Sequence, residues 1–365
     1  MNKNMNKNMN KNMNKKKELG QFYTTNYNYI LQNMYIPDDI NNIIEPFAGN
    51  GDLLEFINNK ENKYNIECYD IEPKKDYIIK QDTLLNTPNF DNKFVITNPP
   101  YLARNKCNSK NLFDIYETND LYKCFIKILI NSNCKGGILI VPLNFISSIR
   151  ISDIHLRENF IKKYKISTIN IFEEKVFIDT SYTICSFQFI KKEYDYEKIE
   201  DMICNIYPKN ITFNVSLNKN NNYTIGGEIY NLPQNDKIKI ERATKDITIE
   251  NQIYMTNILV KCIDDNIHNK IALSFVDEKI KNKYIDNTPK LSARSFAILV
   301  IKPSLNVEEQ KNLIVQFNMF ININREKYNS LFLSNYRESN SISRKRISFG
   351  LVYEICNYLL SNISL

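Results

Sequence analysis

Between residues 42 and 190, short apolar segments alternate with segments of helical pattern. Phe94–Thr97 and Gly137–Val141 are apolar almost without interruption, whereas Leu121–Ser132 places its apolar residues at helical spacing. Strands that alternate with helices favour a parallel sheet, and uninterrupted apolar strands indicate that both faces of that sheet are covered. We therefore predict an α/β fold built on a doubly wound, mostly parallel sheet.

The 365 residues divide into three parts by pattern. Residues 1–17 repeat Met-Asn-Lys-Asn and carry six lysines and no acid, a composition typical of a disordered basic tail. The alternation of strands and helices ends near residue 200, and an Asn-rich stretch follows. We predict one domain at residues 18–200 and a second, of α+β type, at residues 201–365.

Charge is unevenly shared among these parts. Residues 1–17 sum to +6, residues 18–200 to −4 and residues 201–365 to +5, which gives the net charge of +7. A basic second half suggests a polyanionic partner. The abundance of Lys and Asn is also what an AT-rich genome produces, so charge alone leaves both interpretations open.

Several classes of protein are disfavoured. The longest apolar run, residues 136–146, is about half of the roughly 20 residues that a membrane span needs, and Pro142 interrupts it. The N-terminus lacks the apolar core of a secretion signal. Eight cysteines without a CxxC pair, and only two histidines, predict free buried thiols and no metal site.

The tetrapeptide Asn98-Pro99-Pro100-Tyr101 directly follows the strand Phe94–Thr97. Two prolines cannot continue a central strand, so the tetrapeptide is a rigid turn at the carboxyl edge of the sheet, where α/β proteins bind ligands. The turn offers an amide side chain, a free backbone carbonyl and an aromatic face. Together these could accept two hydrogen bonds from an exocyclic amino group and stack on its ring, although Asn-Pro-Pro can also be a plain turn.

Other strand ends carry further polar signals. Glu45–Asp52 is a glycine loop between a strand and a helix, and its lack of a GK[ST] sequence disfavours ATP. Asp70 ends the next strand, where an acid can hold the hydroxyls of a ribose. Asp82 could accept a hydrogen bond from an adenine amino group. Each acid alone is more often a surface residue, but their order at successive strand ends favours a site.

This set of motifs resembles the N6-adenine DNA methyltransferases of the gamma order, of the type II restriction–modification kind, in which the catalytic domain precedes target recognition. The chain departs from the family pattern at Thr25, where proline is frequent, and at Thr83, where a bulky apolar residue is usual. The matching segments are Gly20–Thr25 for motif X, Glu45–Gly51 for motif I, Asp70-Ile71-Glu72 for motif II, Asp82 for motif III, Asn98–Tyr101 for motif IV and Val176-Phe177 for motif VIII.

The resemblance implies a Rossmann-like domain that transfers a methyl group from S-adenosylmethionine to adenine N6 of a base flipped out of duplex DNA. It implies that Asn98 and the Pro99 carbonyl accept the N6 hydrogens, and that Tyr101 and Phe177 hold the base. The implied catalytic residues are Asn98, Pro99, Pro100, Tyr101 and Phe177. The implied cofactor residues are Tyr23, Thr24, Glu45, Phe47, Gly49, Gly51, Asp70, Ile71, Asp82 and Asn98.

Residues 201–365 would then recognise the target sequence in double-stranded DNA. We expect Arg337, Arg344, Lys345 and Arg346 to contact DNA, chiefly its phosphates. The resemblance further implies a monomer on DNA, a separate restriction endonuclease as counterpart, and a cytoplasmic location rather than secretion or a membrane.

Four other functions share part of this pattern. RNA adenine and protein glutamine also present a planar amino group to such a turn, but glutamine enzymes usually lack the Glu-Pro-Phe-Ala form of motif I and a large basic C-terminal region. N4-cytosine methyltransferases more often have serine in place of Asn98. A DNA-binding protein with a decayed catalytic domain would not be expected to keep Asn98, Tyr101, Gly49 and Gly51.

Overall fold

The computed structural model describes residues 20, 22, 24–58, 64–177, 182–193, 201–244, 249–264, 270–285, 295–336 and 344–362. The chain forms two compact units: residues 1–218 with 339–342, and residues 219–338 with 343–365. The expected tail at residues 1–17, together with Tyr23 and Arg337, lies outside the described residues.

Nine strands form the sheet of the first unit. Their bounds are β1 (Asn42–Glu45), β2 (Asn65–Asp70), β3 (Ile79–Lys80), β4 (Phe94–Thr97), β5 (Gly136–Pro142), β6 (Tyr164–Phe172), β7 (Ile184–Lys191), β8 (Met202–Tyr207) and β9 (Ile211–Val215). Their order across the sheet is β3-β2-β1-β4-β5-β7-β6-β8-β9. Strands β1 to β5 pair in parallel, and β7 runs antiparallel to both β5 and β6.

Helices of the first unit alternate with these strands. Their bounds are α1 (Tyr27–Ile30), α2 (Asp52–Asn58), α3 (Asn111–Ile115), α4 (Leu121–Asn131), α5 (Asn144–Ser147) and α6 (Ile151–Lys163). Helix α4 is amphipathic and buries eight of its eleven residues. The prediction of a doubly wound, mostly parallel α/β sheet is confirmed. Successive strands are added first on one side of β1 and then, from β4 onward, on its other side.

That reversal sets the position of the site. From β1 the chain moves outward to β2 and β3, then returns to β4 on the other side of β1. Residues Ile43 and Ile44 of β1 pair with Phe94 and Val95 of β4. The loops that leave β1 and β4 therefore face each other across a crevice at the carboxyl edge, where open α/β sheets bind ligands.

The first unit continues to Asn218, beyond the boundary near residue 200 that the sequence indicates. Strand β8 joins the sheet parallel to β6, and β9 pairs with β8. Asn205 of β8 is buried and donates to Asn170 Oδ1 at 3.1 Å. Strand β8 is apolar apart from Asn205, but the charged residues 191–201 before it have no helical pattern, so the alternation of strands and helices breaks off before β8.

The second unit is a mixture of antiparallel sheets and helices. One sheet has the order β10-β14-β11-β13 and the other the order β12-β16-β15. The strand bounds are β10 (Lys239–Arg242), β11 (Met255–Lys261), β12 (Ile263–Asp264), β13 (Ala272–Phe275), β14 (Phe296–Lys302), β15 (Ser334–Tyr336) and β16 (Arg344–Arg346). The helices are α7 (Ile249–Gln252), α8 (Glu278–Ile285), α9 (Val307–Tyr328) and α10 (Phe349–Asn362).

The cysteines are all free thiols, and all but the half-buried Cys107 are buried. The described part of the chain holds no cluster of three or more His, Cys, Asp or Glu side chains suited to a metal ion. Within the same residues, every helix is too short or too polar to cross a bilayer.

Candidate active site at the carboxyl edge of the first sheet

A cavity of about 1030 Å³, its open mouth included, lies at the carboxyl ends of β1, β2 and β4. It brings together residues that are far apart in the sequence. Its lining includes Phe22, Thr24, Glu45, Phe47, Ala48, Gly49, Asp52, Asp70, Ile71, Gln81, Asp82, Asn98, Pro100 and Cys107. Most of the residues that the sequence assigned to a cofactor therefore share one cavity, because parallel strands end at the same edge of a sheet.

The amide of Asn98 is fixed on both sides. Its Nδ2 donates to the backbone oxygen of Phe22 at 2.8 Å and to Thr24 Oγ1 at 3.0 Å. Its Oδ1 accepts a hydrogen bond from the hydroxyl of Tyr101. Pro99 is buried and Pro100 lines the cavity, so the turn holds the amide at the cavity wall.

Tyr101 lies deeper than its expected role requires. Its side chain is only 2% exposed, and its hydroxyl can also donate to the backbone oxygen of Ile140 at 2.7 Å. Burial raises the pKa of this phenol well above its usual value. The ring stacks on Phe22 with centroids 5.2 Å apart, so a base cannot reach this face while Phe22 remains there.

Phe177 belongs to the same aromatic group. It is buried, and Phe22 stacks on it with centroids 6.1 Å apart and planes inclined by 26°. Phe22 is thus in contact with both aromatic residues that the sequence assigned to a target base. Phe22 lies within the segment that resembles motif X, but no feature of the sequence indicates that its ring stacks here.

The glycine loop after β1 is shaped by two residues with positive φ. Gly49 has φ +54° and Gly51 has φ +82°, and a Cβ at Gly51 would lie 2.9 Å from the hydroxyl oxygen of Tyr77. A side chain at either position would strain the backbone. The loop can therefore follow the cavity wall closely, with Gly49 exposing backbone rather than a side chain.

Asp70 holds this loop in place. Its Oδ2 accepts from the Gly49 N–H at 2.8 Å and its Oδ1 accepts from the Glu72 N–H at 2.7 Å. Each carboxylate oxygen can accept a further hydrogen bond, so this role is compatible with a ribose contact. Ile71 and Asp82 also line the cavity, and Asp82 Oδ1 accepts from the Leu84 N–H at 3.0 Å.

Glu45 is a buried acid in the cavity wall. Its side chain is 1% exposed, and its Oε2 has no hydrogen-bond partner among the described residues. Burial, with Asp70 and Asp52 nearby, raises the pKa of this carboxyl well above its usual value. An unpaired buried oxygen beside a glycine loop fits a ligand that carries positive charge or a hydrogen-bond donor.

The expected DNA contacts lie in the second unit. Lys345 is buried, and its Nζ donates to the backbone oxygen of Asn329, the residue that caps α9, at 2.6 Å. This bond satisfies a carbonyl at the end of a helix, which argues against the expected phosphate contact. Arg344 and Arg346 lie on the same strand, and Arg346 is half-buried.

A comparison with protein families finds that residues 2–177 match the model of the Eco57I restriction-modification methylase. The matched range includes every residue of the cavity lining and ends at Phe177. A comparison with curated proteins finds no match.

Solved structures include proteins of distantly similar fold. A type I restriction-modification methyltransferase subunit from Streptococcus thermophilus is 15% identical over 52% of this chain and 48% of its own, with a TM-score of 0.36. DrdV, solved with DNA, is 13% identical over 68% of this chain and 35% of its own, with a TM-score of 0.41. A Vibrio vulnificus protein described as a modification subunit of a type I restriction enzyme is 12% identical over 60% of this chain and 57% of its own, with a TM-score of 0.41.

The chain thus spans less than two thirds of the length of each of these proteins.

Proposed function

We propose, because residues 2–177 match the model of the Eco57I restriction-modification methylase, that this chain methylates adenine N6 in duplex DNA. The observation that carries the proposal is the shared cavity: Asn98 lies in the same space as Glu45, Asp70 and Asp82. One amide acceptor beside three acids is what a reaction between a cationic nucleoside donor and an amino group requires.

S-adenosylmethionine is the proposed cofactor, and when bound it supplies an electrophilic methyl group on a sulfonium. The residues present fit this group. Asp70 and Asp82 offer acceptors for ribose hydroxyls and an adenine amino group, and Gly49 and Gly51 allow the backbone to approach closely. Glu45 supplies an unpaired buried oxygen in the same cavity.

The proposed target group is a planar amine. Asn98 Oδ1 and the Pro99 carbonyl would each accept one N6 hydrogen, which aligns the nitrogen lone pair for an in-line displacement. Asn98 Oδ1 is held by the Tyr101 hydroxyl in the absence of substrate. The Ile140 carbonyl is a second acceptor for that hydroxyl, so Tyr101 can release Asn98 without losing its own hydrogen bond.

Adenine N6 inside a duplex is paired and out of reach, so the base must leave the stack before it can react. Stacking on aromatic side chains is worth about 1–3 kcal/mol per base, comparable to the few kcal/mol that extrusion costs. Tyr101 and Phe177 are the proposed aromatic partners, with Phe22 displaced. Double-stranded DNA is accordingly the proposed partner, with the residues from 201 onward, which carry +5, as the region that contacts it.

The experiment is expression in a host that lacks DNA methylation, followed by sequencing that identifies the modified base and its position. We expect N6-methyladenine in one sequence context, and none when Asn98→Ala is expressed at the same level. A methyl mark on cytosine N4 would contradict the proposed base. If DNA stays unmodified while RNA or a protein glutamine is methylated, the substrate is RNA or protein and not DNA.

A further inference from the structure

We infer that Thr24 is a positioning residue, which fixes the amide of Asn98 so that its oxygen points toward the amine to be methylated. The inference rests on the proposed function. It gives Thr24 a role distinct from the cofactor contact that the family resemblance implies.

The chemistry of the three groups determines the orientation of the amide. The backbone oxygen of Phe22 can only accept a hydrogen bond, so the atom of Asn98 that lies 2.8 Å from it must be Nδ2. The second Nδ2 hydrogen points to Thr24 Oγ1 at 3.0 Å. With both hydrogens engaged, Oδ1 is left on the opposite side as the acceptor.

The segment that carries Thr24 is fastened to the Asn98–Tyr101 turn. The N–H of Tyr101 donates to the backbone oxygen of Gly20 at 2.9 Å. Gly20 has φ +65°, and a Cβ there would lie 2.6 Å from the backbone oxygen of Tyr101. The two stretches of backbone are therefore in contact, and the position of Thr24 relative to Asn98 is set by the fold.

The hydrogen bond from Asn98 Nδ2 to Thr24 Oγ1 lies in a buried environment. The side chain of Thr24 is only 3% exposed, so water cannot readily replace its hydroxyl as the acceptor for Nδ2. An amide hydrogen left unpaired in this environment costs more than the hydrogen bond itself is worth, and the amide is then held only by the Phe22 carbonyl and the Tyr101 hydroxyl. Rotation of the amide would present an N–H instead of an oxygen to the incoming amine.

The kinetic test compares Thr24→Val with Thr24→Ser on an unmethylated duplex that contains the target sequence. Valine keeps the shape and removes the acceptor, and we expect kcat to fall about tenfold, equivalent to about 1.4 kcal/mol of activation free energy. The KM for S-adenosylmethionine should change by less than about twofold, and serine should restore kcat. Thr25→Val, the same change at the exposed neighbour, is the matched control and should leave kcat as it is.

The opposite pattern would overturn the inference. If Thr24→Val raises the KM for S-adenosylmethionine and leaves kcat unchanged, Thr24 contacts the cofactor and does not position the amide.

A second measurement needs no substrate, so it separates this inference from the proposed function. The side-chain amide signals of Asn98 can be identified by nuclear magnetic resonance from their loss in Asn98→Asp. In the wild-type protein these hydrogens should exchange slowly with water, and in Thr24→Val one of them should exchange at least about tenfold faster. Equal exchange rates in the two proteins would show that Thr24 does not hold the amide, whatever the chain methylates.

Discussion

At the residue scale, Glu45 links the cavity to pH. Its raised folded pKa means that the native protein retains a proton that the unfolded chain releases, so this group stabilises the fold at low pH. That contribution is lost as the pH rises from the ordinary pKa of a glutamate toward the folded value. Glu45→Gln keeps the shape and stays neutral, and we expect its free energy of unfolding to depend less on pH over this range.

Urea denaturation of the two proteins at several pH values measures the difference. Glu55→Gln, the same change at an exposed acid of α2, is the matched control. Parallel pH profiles for wild type and Glu45→Gln would show that Glu45 is ionised in the native protein.

The variant Tyr101→Phe distinguishes a structural role of the Tyr101 hydroxyl from a role in the chemistry. The sequence suggests that Tyr101→Phe is harmless, because only the ring face would meet a base. The structure gives the buried hydroxyl two acceptors, Ile140 O and Asn98 Oδ1, and the phenylalanine variant leaves both without this donor. We expect Tyr101→Phe to lower the free energy of unfolding by about 1–3 kcal/mol.

Turnover of the same variant should fall far less than in Asn98→Ala, since the stacking ring is kept and Asn98 Oδ1 is released. Thermal denaturation and a methylation assay on one preparation measure both effects. A variant with wild-type stability and no activity would instead place the hydroxyl in the chemistry.

At the element scale, the segment that contains Phe22 covers the rings on which a base would stack. Phe22 contacts both Tyr101 and Phe177, so it must leave before these rings can hold a target. The chain contains no tryptophan, so Phe22→Trp introduces a single tryptophan, whose emission can be excited apart from the tyrosines. Adding duplex DNA that contains the target should shift its emission to longer wavelength and increase its quenching by acrylamide.

Tyr35→Trp, at an exposed position of the same unit, is the control and should respond little to DNA. If the emission and quenching of Phe22→Trp stay constant while DNA binds, the ring does not move, and the base must stack elsewhere.

The local pattern of apolar residues predicted the bounds of strands and helices well where burial alone determines that pattern. The bounds expected for β4, Phe94–Thr97, agree with the structure, because this strand is short, apolar and ended by a rigid turn. The sequence pattern indicates a helix near Asn306–Phe320, whereas α9 runs to Tyr328, through a stretch where Asn and exposed apolar residues such as Ile323 obscure the helical period.

The site was predictable as a group of residues but not as an arrangement. Glu45, Asp70, Asp82 and Asn98 meet because parallel strand ends share an edge, which sequence order reveals. The raised pKa of Glu45, the Phe22 ring on Tyr101 and the hydrogen bond from Asn98 to Thr24 depend on distances across the fold. Such contacts leave no periodic trace in the sequence.

At the scale of the whole molecule, net charge does not by itself identify the lysines and arginines that meet a polyanion. Lys345 contributes to the +5 charge of residues 201–365, yet its ammonium is buried against the end of α9. Only charges that reach the nucleic acid release counterions, and only these affect the salt dependence of binding. Lys345 and its strand neighbour Arg344 should therefore respond differently to the same neutralising change.

We expect Lys345→Gln to lower the melting temperature, because Asn329 O loses its buried donor, while the slope of log K against log salt stays at the wild-type value. Arg344→Gln, at a residue that the sequence assigns to the DNA contacts, should reduce that slope by about one, as for the loss of one phosphate contact. DNA-binding isotherms at several salt concentrations, with thermal melts of the same proteins, measure both quantities. A flatter slope in Lys345→Gln with an unchanged melting temperature would mean that its ammonium leaves Asn329 to bind DNA, and would restore the assignment made from sequence.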